Sequence, residues 1–206
     1  MEITSQPHET LALPLPIYET TLLADATSRD GHKFHVYAGL TKDLVGILRT
    51  CSLDDSDSAL QNNTSDRKRF GEGSYEEWYG KNRTIFSLVH ADTGALAAVA
   101  WFGPKALGQK SLKHLAEGEL EKEKEAEAGD WHTISYRSYG AFRGKGLMKD
   151  FALFAMEEYC RAFPGATLWA IIDARNAASA ALAAKLGFVP AEGETGASDS
   201  LVMIKK

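Results

Sequence analysis

Glycine and basic residues alternate at one point of the sequence, between a strand-like run and a helical pattern. The run Thr133–Tyr136 carries β-branched or aromatic residues at three of its four positions, which predicts a strand. Arg143–Gly146 forms a glycine-rich corner, and Leu147, Phe151 and Phe154 then recur at helical spacing. The N–H groups of such a corner and helix start have no internal partners, and the helix dipole makes their surroundings positive. The stretch therefore predicts a seat for phosphate oxygens.

Two common glycine motifs for phosphate binding do not fit this corner. The P-loop needs a glycine, four residues and then Gly-Lys-Ser/Thr, a string that the sequence lacks. The dinucleotide fingerprint needs a third glycine at the position of Lys149. The remaining pattern, Arg143-x-x-Gly146-x-Met148, resembles the Q/R-x-x-G-x-G/A pyrophosphate loop of the GNAT superfamily of acyl-CoA N-acyltransferases.

A second stretch with the same resemblance follows at Leu168–Phe188. Its sequence predicts a buried strand, a turn and an alanine-rich helix, with Asn176 as the N-cap and Gly187 as the C-terminal stop. The order of strand, Asn, short helix and Lys-Leu-Gly-Phe is similar to the second half of the GNAT cofactor-binding core. Because both motifs occur in the family's order, over roughly the second half of the chain, the sequence is identified as a member of this superfamily.

The elements that position these motifs follow from the resemblance and from chain length. The resemblance implies an α/β (α+β) fold with a mixed, mainly antiparallel, twisted sheet flanked by helices. That sheet is split between the fourth and fifth core strands, where it receives the pantetheine arm. A chain of 206 residues fits one domain, 1–206. Residues 1–17 predict an irregular N-terminal arm. Residues 103–129 predict a charged insertion, which we interpret as a solvated helix or loop rather than as an acidic rim that attracts a cationic amine.

The patterning before the corner predicts a hairpin and two helices. Thr84–His90 and Ala95–Phe102 are strand-like runs joined by a turn signal. Helices are predicted at Thr41–Leu48 and Ser74–Lys81, each with a capping residue at its start. Residues 52–73 lie between these helices and are polar, and we interpret them as a flexible surface loop in preference to a substrate lid.

The resemblance also implies an activity and its co-substrate. It implies direct attack of a primary amine on the thioester of acetyl-CoA (coenzyme A), with no metal. The net charge of −5 argues against a dedicated nucleic-acid binder and, with the polar loops, favours a small-molecule amine over a basic protein partner. Two alternatives stay open: acetylation of a protein N-terminus or lysine, and a non-catalytic module that binds CoA as a sensor or scaffold.

Functional residues are carried over from the family by position. Peptide groups at the end of the strand before the corner hold pantetheine and polarise the thioester carbonyl, which implies Tyr136, Arg137 and Ser138 here. The N–H of Ser138 is the expected oxyanion donor. The pyrophosphate is expected at the corner and helix start, which comprise Arg143, Gly144, Lys145, Gly146, Leu147 and Met148. Asn176 would face pantetheine, although an N-cap role alone accounts for it, as an exposed position alone accounts for Lys145.

The chain departs from the family pattern at two positions. Met148 stands where the loop motif has Gly or Ala, which brings a bulky side chain to the pyrophosphate site. Ala183 stands seven residues after Asn176, where many members have the Tyr that protonates the leaving thiolate. Either Tyr136 or Tyr139 supplies that proton, or the thiolate leaves unprotonated, which a thiol pKa of about 8.5 tolerates.

His132 is the candidate general base at the start of the same strand. Some family members use a His or Glu on this strand, often through water, and an imidazole has a suitable pKa to accept an ammonium proton near neutrality. The alternative is a strand-entry residue whose hydrogen bonds are satisfied by its neighbours.

The bulk properties are those of a cytoplasmic domain. The two cysteines, Cys51 and Cys160, are far apart and outside metal-ligand spacing, so we expect free thiols in a reducing compartment. No apolar run approaches the ~20 residues that span a bilayer, and the N-terminus lacks the features of a signal peptide. A homodimer is the default expectation for the assembly.

Overall fold

The computed structural model describes residues 1–109, 128–195 and 200–205, with backbone only for residues 192–195. Within these residues one sheet has the strand order β1-β2-β3-β4-β5-β6-β7-β9-β8. Its strands are β1 (Glu2–Ser5), β2 (Thr20–Thr27), β3 (Lys33–Gly39), β4 (Thr84–His90), β5 (Leu96–Pro104), β6 (Trp131–Ser138), β7 (Thr167–Asp173), β8 (Phe188–Thr195) and β9 (Ser200–Lys205).

The described helices lie in three connections of the sheet: between β3 and β4, between β6 and β7, and between β7 and β8. They are α1 (Lys42–Leu53), α2 (Ser58–Asn63), a π-helical turn (Arg67–Gly71), α3 (Tyr75–Tyr79), a 3-10 turn (Gly140–Phe142), α4 (Met148–Ala162) and α5 (Ala177–Lys185). The predicted caps are confirmed, since Thr41 accepts a hydrogen bond from the N–H of Leu44 at 3.2 Å and starts α1. Asn176 accepts one from Ser179 at 3.0 Å and starts α5.

The pairing of the strands confirms the expected fold class. Every described neighbouring pair is antiparallel except β6 and β7, which run parallel. All residues of β4 are buried, as are eight of the nine in β5, which explains why their sequences are apolar without alternation. These two strands form the centre of the sheet, and β6 lies next to them.

Among the described residues, two hydrophobic cores lie on the two faces of the sheet. On the first face α4 and α5 pack against the strands, and Tyr159 of α4 stacks on Phe102 with 4.4 Å between ring centroids. On the second face, α1, α3 and the π-helical turn cover an aromatic cluster. In this cluster the ring centroids of Phe70 and Trp101 are 5.6 Å apart. Site residues of β6 therefore project alternately toward two different sets of helices.

Three segments were expected to be irregular or inserted, namely residues 1–17, 52–73 and 103–129. Residues 52–73 were expected to be a flexible loop, which is wrong, because they contain the end of α1, all of α2 and the π-helical turn. Within the irregular arm expected at 1–17, residues Glu2–Ser5 instead pair with β2 as an edge strand. Of the insertion expected at 103–129, residues 110–127 lie outside the described part of the chain.

Candidate active site

The sheet opens between β6 and β7. These strands pair only at Trp131–Thr133 with Thr167–Trp169, and β7 pairs with β9 from Trp169 to Asp173. A cavity of about 340 Å³ lies in this opening, which we call the cleft. Its lining includes Ile134, Ser135, Tyr136, Arg137 and Ser138 of β6, Ala170 and Asp173 of β7, Leu60 and Asn63 of α2, Arg69, Arg143, Met148, and Asn176, Ser179 and Leu182 at α5.

Peptide groups of β6 alternate between β5 and the cleft. The N–H of Tyr139 donates to the carbonyl of Ala97 at 3.0 Å, and strand geometry then directs Ser138 and Tyr136 the other way. Their carbonyl oxygens accept hydrogen bonds from arginine side chains instead, at 3.0 Å for Ser138 and 2.8 Å for Tyr136. The N–H of Ser138 therefore lies on the cleft edge, as an oxyanion donor requires. The peptide N–H of Arg137 faces β5, so the structure does not bring it to the cleft.

The glycine corner has a backbone that favours glycine. Gly144 and Gly146 have φ angles of +77° and +73°, and a Cβ at either position would meet no heavy atom within 4 Å. Conformation, not crowding, selects these residues. Helix α4 then begins with Leu147 at its N-cap, without a side-chain hydrogen bond to its first N–H groups. Met148 packs against the first core and also lines the cleft, and Lys145 is exposed.

Arg143 connects the corner to α2. Its guanidinium donates two parallel hydrogen bonds to Asp57, at 2.7 and 2.6 Å, and a third to the carbonyl of Ser138. Asp57 is the N-cap of α2, and the hydrogen bond from Arg143 lowers the pKa of its carboxyl. This ion pair fixes α2 beside the cleft, so part of the polar stretch 52–73 becomes a wall of the site.

Tyr136 crosses the cleft toward α5. Its hydroxyl lies 3.1 Å from the carbonyl oxygen of Ser179 and 3.2 Å from that residue's Oγ. Burial raises the pKa of the Tyr136 phenol, which keeps it protonated at neutral pH. Ala183 is fully buried in the first core, one turn further along α5. A hydroxyl from β6 thus reaches the helix from which the expected tyrosine is missing.

The other two candidate proton carriers are not brought to the cleft. His132 lies where β6 and β7 pair, and its Nδ1 is 2.5 Å from the hydroxyl of Tyr159. Burial lowers the pKa of the His132 imidazole. Tyr139 is 3% exposed in the second core, and its hydroxyl has no hydrogen-bond partner among the described residues. Of the named groups, Tyr136 is the one that lines the cleft.

A group of charged residues on the second face was not found from the sequence. Asp66 is fully buried and accepts hydrogen bonds from Arg69 at 2.7 Å and from Arg137 at 2.7 and 3.2 Å. Both guanidiniums lie against the indole of Trp101, at 5.6 and 4.8 Å from the ring centroid. The spacing of Asp66 and Arg69 within a helical turn was the one available signal, and their partner lies 71 residues further along the chain.

The described residues contain neither a grouped set of metal ligands nor a membrane-spanning helix. Across 1–109, 128–195 and 200–205, no three His, Cys, Asp or Glu side chains are grouped so that they could hold a metal ion. No described helix is long and apolar enough to cross a membrane. Cys51 and Cys160 are both free and partly buried.

Comparison with known proteins identifies a family for most of the chain. The family described as acetyltransferase (GNAT) domain matches residues 47–189. No curated protein matches the sequence significantly.

Solved structures share the fold at low sequence identity. The GNAT domain of S. lividans PAT has a TM-score of 0.59 at 14% identity, covering 88% of this chain and 94% of that one. Mycobacterium smegmatis RimJ in complex with CoA-disulfide has a TM-score of 0.59 at 14% identity, covering 91% and 86%. A chimera of the spermidine N-acetyltransferase SpeG from Vibrio cholerae and hSSAT has a TM-score of 0.54 at 12% identity, covering 83% and 93%.

Proposed function

We propose that this chain, which belongs to the acetyltransferase (GNAT) family, moves an acetyl group from acetyl-CoA to a small primary amine. Family membership makes it an acyl-CoA-dependent N-acetyltransferase. The identity of the donor and the size of the acceptor are the parts that we propose. The observation that carries the proposal is the edge of β6 at Tyr136 and Ser138, whose peptide groups are directed into the cleft instead of toward a neighbouring strand.

The described residues fit coenzyme A. Two successive turns with positive φ at Gly144 and Gly146 lead into an α4 start without a side-chain cap, which suits a pyrophosphate. The cleft edge of β6 offers N–H and carbonyl groups for the amides of pantetheine, once Arg137 and Arg143 release those carbonyls. RimJ, a structural neighbour, holds CoA-disulfide, and the acceptor of the SpeG chimera is spermidine.

In the proposed transfer step, the Ser138 N–H stabilises the developing negative charge and the Tyr136 hydroxyl protonates the leaving sulfur. Coenzyme A supplies the acetyl group as a thioester. The Ser138 N–H donates to the carbonyl oxygen as negative charge develops there during attack by the neutral amine. The carbon–nitrogen bond forms, the carbon–sulfur bond breaks, and the Tyr136 phenol gives its proton to the departing sulfur. The proton that the amine loses returns to Tyr136 through solvent, so no net proton is produced by the transfer itself.

The described lining of the cleft contains no free carboxylate or imidazole to act as a base. Asp173 is the one carboxylate among these lining residues, and the guanidinium of Arg175 donates to both of its oxygens, at 3.0 and 2.9 Å. We therefore propose that the amine enters the reaction already neutral. Its neutral fraction in solution then limits the rate below the pKa of the amine.

Thermal unfolding with acetyl-CoA tests the donor, and thiol release tests the reaction. Ligand at ~100 times its Kd adds about 2.7 kcal/mol, which raises Tm by about 5–10 °C for a chain of this size. We expect that shift with acetyl-CoA and with free CoA in parallel, in protein shown to be free of carried-over CoA. Release of CoA thiol across a panel of small amines then shows turnover. A shift without turnover of any amine or peptide would instead indicate a CoA-binding module.

A further inference from the structure

Among the described residues, the charges grouped around the buried Asp66 on the second face of the sheet do not balance. Two guanidiniums, of Arg69 and Arg137, share the single carboxylate of Asp66, which leaves one positive charge. Both arginines line the cleft, whereas Asp66 is fully enclosed. The pKa of Arg69 is lowered by burial and by the positive charges of Arg137 and Arg83, against the opposing effect of Asp66. The surroundings of Arg69 therefore favour an additional negative charge.

The two arginines differ in how many of their N–H donors are used by described residues. Arg137 donates to Asp66 through Nε and Nη2 and to the carbonyl of Tyr136 through Nη1. Arg69 donates to Asp66 through Nη1 alone, within the described part of the chain. A guanidinium has five N–H donors, so most of those of Arg69 remain for a ligand. Its contact with the indole of Trp101 holds it in place.

Charge balance within the described residues does not require the second arginine. Asp66 and Arg137 alone would make a neutral, doubly hydrogen-bonded pair. Adding Arg69 brings a further cation out of water beside one that already repels it, which costs free energy unless another anion completes the group. Arg69 is 13% exposed at the wall of the cleft, and no second carboxylate among the described residues pairs with it, which indicates a ligand that supplies the negative charge.

We propose that the acceptor amine carries a carboxylate, which Arg69 binds on the face of the sheet that holds α1–α3. This proposal rests on the proposed function, since it names the class of amine. The remaining charge of one unit matches a carboxylate, whereas a phosphate ester carries about −1.5 to −2 near neutral pH. The planar fork of a guanidinium also matches the two oxygens of a carboxylate. The substrate class is therefore a small amino acid or a related amino carboxylate.

Matched acceptor pairs test this class without changing the protein. We would compare glycine with glycinamide, β-alanine with β-alaninamide, and phenylalanine with phenylalaninamide, with kcat/KM expressed per concentration of neutral amine. We expect the carboxylate of at least one pair to exceed its amide by at least tenfold, since hydrogen bonds to charged groups are the strong ones. Amides that equal or exceed their carboxylates in every pair would overturn the proposal.

Variants of Arg69 test whether this residue is the one that selects the carboxylate. Arg69→Gln should lower the carboxylate-to-amide ratio by at least tenfold, and Arg69→Lys should restore part of it. Lys68→Gln is the matched control, because it removes one positive charge from the same π-helical turn at an exposed side chain outside the lining of the cleft. A ratio that is unchanged in Arg69→Gln, or that falls equally in Lys68→Gln, would overturn the assignment.

Calorimetric titration separates this proposal from the proposed function. Each pair is titrated into wild-type protein saturated with CoA, so that no turnover is needed. Carboxylates that bind at least tenfold tighter than their amides support the proposal even if no amine is acetylated, which would count against the proposed function alone. Equal binding of every pair, together with equal turnover, would overturn the carboxylate and leave the acetyltransferase activity standing.

Discussion

At the scale of single residues, the hydroxyl that reaches α5 comes from strand β6, whereas the family pattern places a tyrosine on the helix itself. The sequence alone did not distinguish Tyr136 from Tyr139 as the proton donor that replaces the tyrosine missing at Ala183. The structure separates them, because the side chains of β6 alternate and Tyr139 extends into the second core. The N-cap role of Asn176 could be predicted from the local sequence, whereas the position of Ser138 at the end of β6 was expected from the family resemblance.

Asp66 and Arg69 show the limit of sequence interpretation at this scale. Both lie in a polar stretch that composition describes as a loop. Their role depends on Arg137, which is distant in sequence and reaches them only after the sheet has formed. No local pattern contains that information.

Replacing Tyr136 tests the proposed acid. Tyr136→Phe keeps the ring packed beside α5 and removes the hydroxyl that lies at Ser179. We expect kcat to fall by about 10²-fold, the lower end of acid–base contributions, because a thiolate is a tolerable leaving group. Affinity for acetyl-CoA, measured by titration, should change less than threefold.

Tyr139→Phe is the matched control for this variant. Its hydroxyl is buried without a partner among the described residues, so removing it should leave kcat unchanged and raise the free energy of unfolding by about 1 kcal/mol. Equal kcat in Tyr136→Phe and wild type would exclude the phenol as the acid.

At the scale of elements, most strands, the long helices and the capped helix α3 were predictable, whereas β1, α2 and the π-helical turn were not. β7 spans the residues expected from its apolar run, and α4 and α5 follow their helical spacing and caps. Helix α2 has six residues and is held by an ion pair between Asp57 and Arg143, which are 86 residues apart. A helix this short is marginal by itself, and the contact that holds it comes from a remote residue that its own sequence does not contain.

The glycine corner is the element whose backbone can be tested directly. Gly146→Ala places a Cβ at φ +73°, where a left-handed backbone costs about 1–2 kcal/mol. The corner should shift toward negative φ and reorient the N–H groups before α4. We expect acetyl-CoA to bind at least tenfold more weakly by calorimetric titration, with the free energy of unfolding about 1 kcal/mol lower.

Gly165→Ala provides the comparison. This glycine lies in the exposed turn before β7, has no positive φ, and has open space around a Cβ. It should bind acetyl-CoA as wild type does. If Gly146→Ala also bound normally, the corner would not be the pyrophosphate site.

At the scale of the whole molecule, the cleft joins two faces with different chemistry. The first face contributes α4, α5 and the neutral phenol of Tyr136, which suits the donor. The second face contributes α2 and the positive Arg69, which suits an acceptor with an anionic group. His132 lies outside the lining of the cleft, at the end of the sheet where β6 and β7 pair. It could act as the base only if the acceptor amine reached that closed end.

The pH dependence of kcat/KM decides whether a base acts in the cleft. If the amine enters neutral, log(kcat/KM) rises with pH at a slope of one up to the amine pKa and then levels off. Tyr136 adds no loss within this range, because burial raises its pKa above the ordinary value of 10.0. If His132 were the base that accepts the ammonium proton, the reacting complex would form from a neutral imidazole and an ammonium ion. The profile would then level off above the imidazole pKa, which burial lowers from 6.5, and not at the amine pKa.

We expect a slope of one from about pH 5.5 to 8, and the same profile in His132→Asn. Asparagine keeps a polar group near the hydroxyl of Tyr159 but does not titrate, so the variant separates a proton-transfer role from a packing role. Its kcat/KM should stay within threefold of wild type, and thermal unfolding would confirm that it is folded. A loss of about 10²-fold, with a wild-type profile that is level from about pH 6.5 to 8 and becomes a slope of one in the variant, would instead establish His132 as the base and require the closed end of the sheet to open during catalysis.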